Sequence, residues 1–158
     1  MTDFPTLAEL AAEEDELQLA RLTNDDAWTL GSGLVARARA EELPVAIEIS
    51  RHSHLLFHAA LTGATPDNDS WIARKARVVH RFGHSSLLVG QRSREAGTTF
   101  EAEFGLDPAR YVAHGGGFPL LVREVGPVGV VVVSGLPQVE DHAMVVAALR
   151  GLVTGRPA

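Results

Sequence analysis

The sequence predicts one α/β domain of the α+β type, in which helices pack on a mainly antiparallel sheet. Two pairs of short apolar segments are each joined by a few turn-forming residues, and the segments between them repeat their apolar residues with helical spacing. Hairpins with helices around them are typical of an antiparallel sheet covered by helices. The length of 158 residues suits a single domain with a buried core, which we expect to span residues 1–158.

Composition excludes several classes of protein. The formal net charge is −6. A protein that binds nucleic acid or an anionic membrane surface needs an excess of Lys and Arg, so we expect neither partner. The absence of cysteine excludes disulfides, thiolate-bound zinc, iron–sulfur clusters and a cysteine nucleophile. The acidic N-terminus does not resemble a signal peptide, and the longest apolar run is too short to span a bilayer as a helix. We therefore expect a cytoplasmic protein.

The first quarter of the chain is predicted to be helical. Thr6 and Glu9 have the spacing of a capping box, which predicts a helix over residues 7–19. Asn24 opens a second helix, which has an acidic first turn and ends before Pro44. The predicted buried face of this second helix consists of Ala27, Trp28, Leu30, Leu34, Val35 and Ala38.

The middle of the chain changes period. Apolar and polar residues alternate over 45–50, which predicts a half-buried strand, and 55–61 is its predicted hairpin partner. A third helix is predicted over 70–84, and 85–104 is predicted to form two helical pieces that are broken near Gly97.

The last third of the chain returns to strands. Two strands are predicted over 118–123 and 128–134, joined by a turn at Gly126-Pro127. The second of them is apolar on both faces, which predicts a central strand covered on both sides. A last helix is predicted to start near Val139 and to direct four residues into the core: Ala143, Val146, Ala147 and Leu149.

Three stretches are more polar or more glycine-rich than packing requires: 67–75, 114–119 and 133–142. At the end of the first, Arg74, Lys75 and the nearby Arg77 make a basic patch in an acidic protein. Such a patch is usually a solvated face, but an arginine there also matches a carboxylate bidentately.

The second stretch contains Gly115, Gly116 and Gly117, directly before a predicted strand. Three missing Cβ atoms let backbone N–H groups face a ligand, or let another part of the chain approach closely. A plain turn with positive φ is the alternative. No Gly-Lys-Ser/Thr follows, so the loop is not a nucleotide-binding P-loop.

The third stretch places Asp141 and His142 in the first turn of the last helix. Asp141 could cap the helix, and the same helix end could bind the carboxylate of a ligand. Adjacent residues on a helix point about 100° apart, which weakens the idea that the two act as a tight catalytic dyad. No catalytic-triad signature is present elsewhere.

The other histidines give weaker signals. His80 and His84 are four apart on the predicted third helix, a spacing that can offer two imidazoles to one metal. No glutamate lies between them as in a zinc-protease helix, so we favour a solvated pair. His52, His54 and His58 surround the predicted hairpin turn and are expected at the surface.

In combination, these stretches resemble the haem-degrading domain family, also called GlcG/HbpS-like, and most closely its branch of stand-alone proteins of about this length. The resemblance covers nearly the whole chain from Asp25 onward and leaves residues 1–23 as an N-terminal helical extension. The resembling residues are Asp67-Asn68, Trp71-Ile72, Arg74-Lys75, Ser85-Ser86, Tyr111, 114–119, 133–138 and Asp141-His142.

The resemblance implies a profilin-like fold, with one five-stranded antiparallel sheet flanked by helices, and assembly into closed homo-oligomers. Members of the wider family bind haem or corrinoids. One branch of secreted haem-linked sensors carries an export signal, which we do not expect here, because the acidic N-terminus does not resemble a signal peptide.

We therefore expect a small-molecule-binding protein that acts as a homo-oligomer, with haem or another planar acidic molecule as its ligand. The predicted ligand-binding residues are Trp71, Arg74, Lys75, His114, Gly115, Gly116, Gly117, Ser134, Gly135, Asp141 and His142. If iron is bound, His114 and His142 are the candidate axial ligands, because imidazole is the usual proximal ligand of haem. Two alternatives stay open: an enzyme that uses Asp141 and His142 for acid–base chemistry, and a protein-interaction scaffold whose oligomer is the functional form.

Overall fold

The computed structural model describes residues 3–155. The ends of the predicted domain, residues 1–2 and 156–158, lie outside the described residues, as does the start of the predicted N-terminal extension. The elements in chain order are α1 (Leu7–Glu16), β1 (Gln18–Leu19), α2 (Asn24–Ala40), β2 (Ala46–Arg51), β3 (His54–Ala60), α3 (Pro66–Phe82), α4 (Ser86–Glu95), α5 (Phe100–Phe104), β4 (Gly117–Val122), β5 (Gly126–Ser134) and α6 (Gln138–Thr154).

The five strands form one sheet in the order β1-β4-β5-β2-β3. The predicted α+β fold with a five-stranded sheet flanked by helices is confirmed. All neighbouring strands are antiparallel except β1, which runs parallel to β4. The sheet is mainly antiparallel because β2–β3 and β4–β5 are hairpins, whereas β1 reaches the edge of β4 directly after α1.

The central position of β5 is also confirmed, and it explains why that strand is apolar on both faces. Val131 and Val133 pack in the core between the sheet and helices α2 and α6. Val130 and Val132 face the other way and pack against residues of α3. Successive side chains of a strand point to opposite faces, so a strand covered on both sides needs apolar residues at every position.

Two sequence-based boundaries are wrong. The first helix ends at Glu16 rather than near Leu19, because the next residues pair with the free edge of β4 and bury Leu17 and Leu19 in the core. The turn between the last two strands lies at residues 123–125, with Glu124 at φ 67°. Gly126-Pro127 belongs to β5 instead, at a register shift of the ladder, where a proline without an N–H is tolerated.

The third helix starts earlier and ends earlier than its pattern suggests. Thr65 and Asn68 form a capping box with a proline at the helix start, so α3 begins at Pro66. The helix ends at Phe82, because Gly83 adopts the left-handed conformation that terminates helices. His84 therefore lies outside α3, and the expected pair with His80 on one helix face is wrong. The two helical pieces predicted over 85–104 are confirmed as α4 and α5.

Two residues that were predicted to face the core are exposed. Trp28 is 65% exposed and packs only its edge against Phe57 of the outer strand β3. Ala143 of α6 faces solvent, because the buried side of that helix is made by its neighbours Met144, Val145, Val146 and Leu149. Trp28 lies beside the narrow stripe of α2 that is buried, whereas Ala143 points away from the broad buried side of α6.

The first helix docks through one buried leucine and a row of carboxylates. Leu10 packs against Leu87 and Leu88 of the α4 region. Glu14 accepts hydrogen bonds from the His84 ring and from the backbone of Ser85, and Glu16 forms a bidentate ion pair with Arg150. Helix α1 thus ties α4 to α6.

Candidate functional site

A buried ion pair joins α3 to α6 beside the end of β5. The Nζ atom of Lys75 lies 3.1 Å from Asp141 Oδ2 and 3.1 Å from the carbonyl oxygen of Val133. The two side chains are 3% and 2% exposed. The expectation that Lys75 belongs to a basic surface patch is therefore wrong. It lies three residues after Ile72 and four before Val79, on the face of α3 that packs on the sheet.

Asp141 receives three hydrogen bonds. Besides Lys75, the backbone N–H groups of Leu136 and Gly135 donate to its carboxylate, at 2.9 and 3.3 Å. Burial raises the pKa of Asp141, and these donors offset only part of that effect. Burial likewise lowers the pKa of Lys75, against the pull of the Asp141 carboxylate. The pair is held by mutual hydrogen bonding in a place where both charges are poorly solvated.

The triple-glycine loop allows the close packing that brings the site together. A Cβ atom at Gly115 would collide with the carbonyl oxygen of Gln138, and one at Gly116 would collide with that of Val133. The N–H of Gly115 donates to Gln138 Oε1, and the N–H of Gly117 donates to Ser86 Oγ. Close approach of another part of the chain is therefore what these glycines provide, and two of their three N–H groups are used inside the protein.

A cavity of about 230 Å³ opens above the ion pair. It brings together residues from all three polar stretches of the sequence, and six of the predicted ligand-binding residues line it: Trp71, Lys75, His114, Ser134, Gly135 and Asp141. Three further lining residues, Asn68, Leu136 and Gln138, were not among the predicted ones. They flank predicted residues in the same stretches, so the stretch was identified but not each side chain.

Two aromatic rings lie in the wall of this cavity, and Arg74, which is not one of its lining residues, stacks on the Trp71 ring. His114 stacks on Trp71 with ring centroids 5.3 Å apart, and the guanidinium carbon of Arg74 lies 4.2 Å above the Trp71 ring. Partial desolvation of its ring and the nearby charge of Lys75 lower the pKa of His114, which favours the neutral imidazole. The Nε atom of Arg74 is buried and has no hydrogen-bond acceptor within residues 3–155.

His142 lies elsewhere. Its Nε2 is 2.8 Å from Glu13 Oε1 of helix α1, its ring packs near Phe118, and it is not a lining residue of the cavity. Asp141 and His142 therefore have separate partners, as the 100° offset of helix neighbours requires. The structure does not assemble them as an acid–base dyad.

The remaining histidines do not form a metal site. Within the part of the chain that the structure describes, no group of three His, Cys, Asp or Glu side chains could hold a metal ion. His84 binds Glu14, His58 lies 3.0 Å from Asp69, and His52 and His54 are exposed, as expected. No helix among the described residues is long and apolar enough to cross a membrane.

A second, larger groove of about 780 Å³ runs between α2 and α6. Its walls are mostly apolar and include Leu34, Met144 and Leu152. No histidine or lysine lines it, and its one cation, Arg37, is already paired with Glu41 at 2.7 Å. The polar groups able to orient an acidic ligand are thus concentrated at the smaller cavity.

One signal in the sequence would have drawn attention to this cavity. Lys75 is the only lysine of the chain, which otherwise carries thirteen arginines. A basic residue type that occurs once in a chain is a candidate for a special role. Glu13, the partner of His142 that sequence reasoning missed, gives no such signal, because it is one of several acidic residues in a helix.

Comparison with known proteins identifies the family and the fold. A family model described as haem degrading protein HbpS-like matches residues 22–150. A UPF0303 protein of Streptomyces coelicolor is 60% identical over 149 residues, which cover 94% of each chain. The crystal structure of the Ybr137w protein is 35% identical, with a TM-score of 0.87 over 98% of this chain and 90% of that one. The crystal structure of a PduOC:heme complex shares the fold, with 20% identity and a TM-score of 0.65 over 81% and 92% of the two chains.

Proposed function

The chain belongs to the HbpS-like haem degrading protein family, and from this premise we propose that it is a small-molecule-binding protein whose ligand carries a carboxylate. The ligand site is the cavity above Lys75 and Asp141, with Trp71 and His114 in its wall and Arg74 stacked on Trp71. We also propose that the protein acts as a homo-oligomer, as the family resemblance implies. A cytoplasmic location and the exclusion of nucleic acid as a partner stay predictions from the sequence.

The observation that carries this proposal is the unpaired guanidinium of Arg74. Its Nε is buried without an acceptor, and no carboxylate within residues 3–155 forms an ion pair with it. Leaving a buried donor unsatisfied costs about 1–3 kcal/mol, and more when the group is charged. A ligand carboxylate would remove that penalty through charge-assisted hydrogen bonds, while Trp71 holds the guanidinium plane in position.

The size of the cavity limits what it can enclose. Pockets for drug-sized ligands measure about 300–1,000 Å³, and this one is about 230 Å³. Haem would therefore enter this cavity only in part. There His114 would offer a neutral imidazole to iron, Arg74 a partner for a propionate, and Trp71 a flat apolar surface. The heme complex of PduOC supports haem as a ligand in this fold. When bound, haem would supply an iron centre for redox chemistry.

A hemin titration with absorbance in the Soret region tests the haem form of this proposal. We expect a saturable shift near one haem per chain, lost in His114→Ala and weakened about tenfold or more in Arg74→Ala, since a hydrogen bond to a charged group is worth about 1.5–3 kcal/mol. His54→Ala is the matched control, because His54 is exposed on β3. His142→Ala should keep the spectrum, because Glu13 already holds that ring.

Two outcomes would contradict it. Non-saturating partition of hemin would remove haem as the ligand, and equal spectral loss in His54→Ala and His114→Ala would remove the cavity as its site. Light scattering of the same samples gives the mass of the assembly, and a monomer would contradict the homo-oligomer.

A further inference from the structure

We propose that Lys75 is a carbonyl-reactive amine, whose Nζ forms an imine with a small aldehyde or ketone bound in the cavity. The inference rests on the proposed function for the position of the ligand and for its carboxylate. It adds the chemical class: a small carbonyl compound that also carries an acidic group.

The composition of the chain singles out this amine. Thirteen of its fourteen basic side chains are arginines, and the one lysine is the residue in the wall of the cavity. For a purely structural pair with a carboxylate, the planar fork of arginine offers more hydrogen bonds than an ammonium group. A guanidinium keeps its proton in proteins, whereas a lysine amine can lose it and become a nucleophile.

The surroundings fix the position of the nitrogen. Nζ is held by Asp141 and by the carbonyl oxygen of Val133, and Lys75 is one of the residues that line the cavity. A Cβ atom at position 116 would come within 2.8 Å of Nζ, so a larger residue there would crowd the amine. The chain thus holds the amine in the wall of a small polar cavity.

Asp141 is placed to handle the proton. Its Oδ2 lies 3.1 Å from Nζ, and burial moves the pKa of Lys75 down and that of Asp141 up, so proton transfer from Nζ to the carboxylate becomes less unfavourable. A desolvated lysine is the kind of amine that forms Schiff bases in enzymes.

The step balances without a further reactant. The neutral amine adds to the carbonyl carbon, a C–N bond forms, and a proton moves from nitrogen to oxygen to give the carbinolamine. Asp141 then returns its proton to the hydroxyl group, which leaves as water. The product is a protonated imine whose positive charge faces the Asp141 carboxylate, so the ion pair is restored. Nothing is oxidised or reduced.

Reductive trapping of the unmodified, tag-free protein tests this. The chain is incubated with pyruvate and cyanoborohydride near neutral pH, and hydride addition to the imine carbon fixes the adduct as a secondary amine. The mass then rises by that of pyruvic acid less one oxygen, and peptide mapping locates it. The α-amino group of the same chain is the internal reference, because its pKa of about 7.7–8.0 makes it more reactive than an ordinary lysine at about 10.4.

We expect Lys75 to be labelled several-fold faster than the α-amino group in the folded protein, and more slowly than it in urea, where the lysine is solvated again. Labelling of the α-amino group alone, or equal rates at Lys75 in folded and unfolded protein, would overturn the proposal. These outcomes need no variant, so a failure of a variant to fold cannot obscure them.

Variants sharpen the assignment. Arg74→Ala should slow labelling by pyruvate. It should leave labelling by propionaldehyde unchanged, because propionaldehyde has no carboxylate. An equal effect on both probes would show that the carbonyl compound needs no acidic group.

Hemin binding involves no imine. Saturable hemin binding without labelling would therefore reject the imine and keep the proposed function, and labelling without hemin binding would reject haem alone.

Discussion

The N-termini of α2 and α6 each place an aspartate in the first turn and use it differently. Both helices have 17 residues, and both carry the acid in the first turn. Asp26 forms a capping box with Thr23: its carboxylate accepts the Thr23 N–H at 2.9 Å, and its own N–H donates to Thr23 Oγ1 at 3.0 Å. Asp141 reaches out of its helix to Lys75, 66 residues away.

Folding moves the pKa values of the Asp26 and Asp141 carboxyl groups in opposite directions. Burial acts to raise the pKa of Asp26, but hydrogen bonds from Thr23 and the charge of Arg21 outweigh it, so the pKa falls. Burial dominates at Asp141, and its pKa rises. A carboxyl whose pKa is lowered by folding stabilises the fold when ionised, and one whose pKa is raised destabilises it. Ionised Asp26 therefore stabilises the start of its helix. Ionised Asp141 instead lowers the stability of the fold, and a residue kept in spite of that is typical of functional sites.

Breaking the buried pair should have the largest effect. Asp141→Ala leaves a buried ammonium group without its counter-charge, and we expect a loss of about 3–5 kcal/mol in the free energy of unfolding. Urea denaturation measures this, with Asp26→Ala as the matched control at about 1 kcal/mol, the usual value of a lost helix cap. Similar losses in the two variants would show that the Asp141 pair is solvated like a surface pair.

Removing both charges should restore most of the loss. In the double variant Lys75→Met with Asp141→Asn, the amide oxygen can still accept the N–H of Leu136, only the longer bond from the Gly135 N–H is lost, and no unpaired charge is buried. Because neutral replacements of buried ion pairs are often harmless, we expect stability within about 1 kcal/mol of the parent, with imine trapping lost. A double variant as unstable as Asp141→Ala would show that the pair itself stabilises the fold.

The same contrast explains what the sequence could predict. Local rules were enough for the capping box of Thr6 and Glu9, since both of its partners lie within four residues. The alternation over 45–50 and the valine run of β5 also identify strands from neighbours alone. The three polar stretches were correctly singled out, because their glycines and charges exceed what packing requires, and the cavity draws its lining from them.

The rest depended on distant partners. A lysine is almost never fully buried unless it is paired, so Lys75 reads as a surface residue until Asp141 is placed beside it. His142 was a candidate ligand because nothing near it in sequence occupies it, and its partner Glu13 is 129 residues away. The apolar faces that wrongly included Trp28 and Ala143 failed for a related reason, since helical periodicity does not say how wide a stripe the sheet covers.

The smallest effect is expected in the charge of Asp26, and it depends on pH. Asn at this position can keep the acceptor for the Thr23 N–H and loses only the charge at the helix N-terminus, so Asp26→Asn should cost roughly 0.3–1 kcal/mol near neutral pH. Since folding lowers the pKa from 3.8, the contribution is fully present above that value and is lost as the pH falls through the folded pKa. Urea denaturation at about pH 7 and about pH 3 should therefore show that the free energy of unfolding lost in Asp26→Asn is smaller in acid.

Asp25→Asn is the control, because Asp25 lies in the same turn without a hydrogen bond to the cap among the described residues. An equal loss at both pH values would mean that Asp26 stabilises the helix by its hydrogen bonds and not by its charge. The two aspartates would then differ in burial alone.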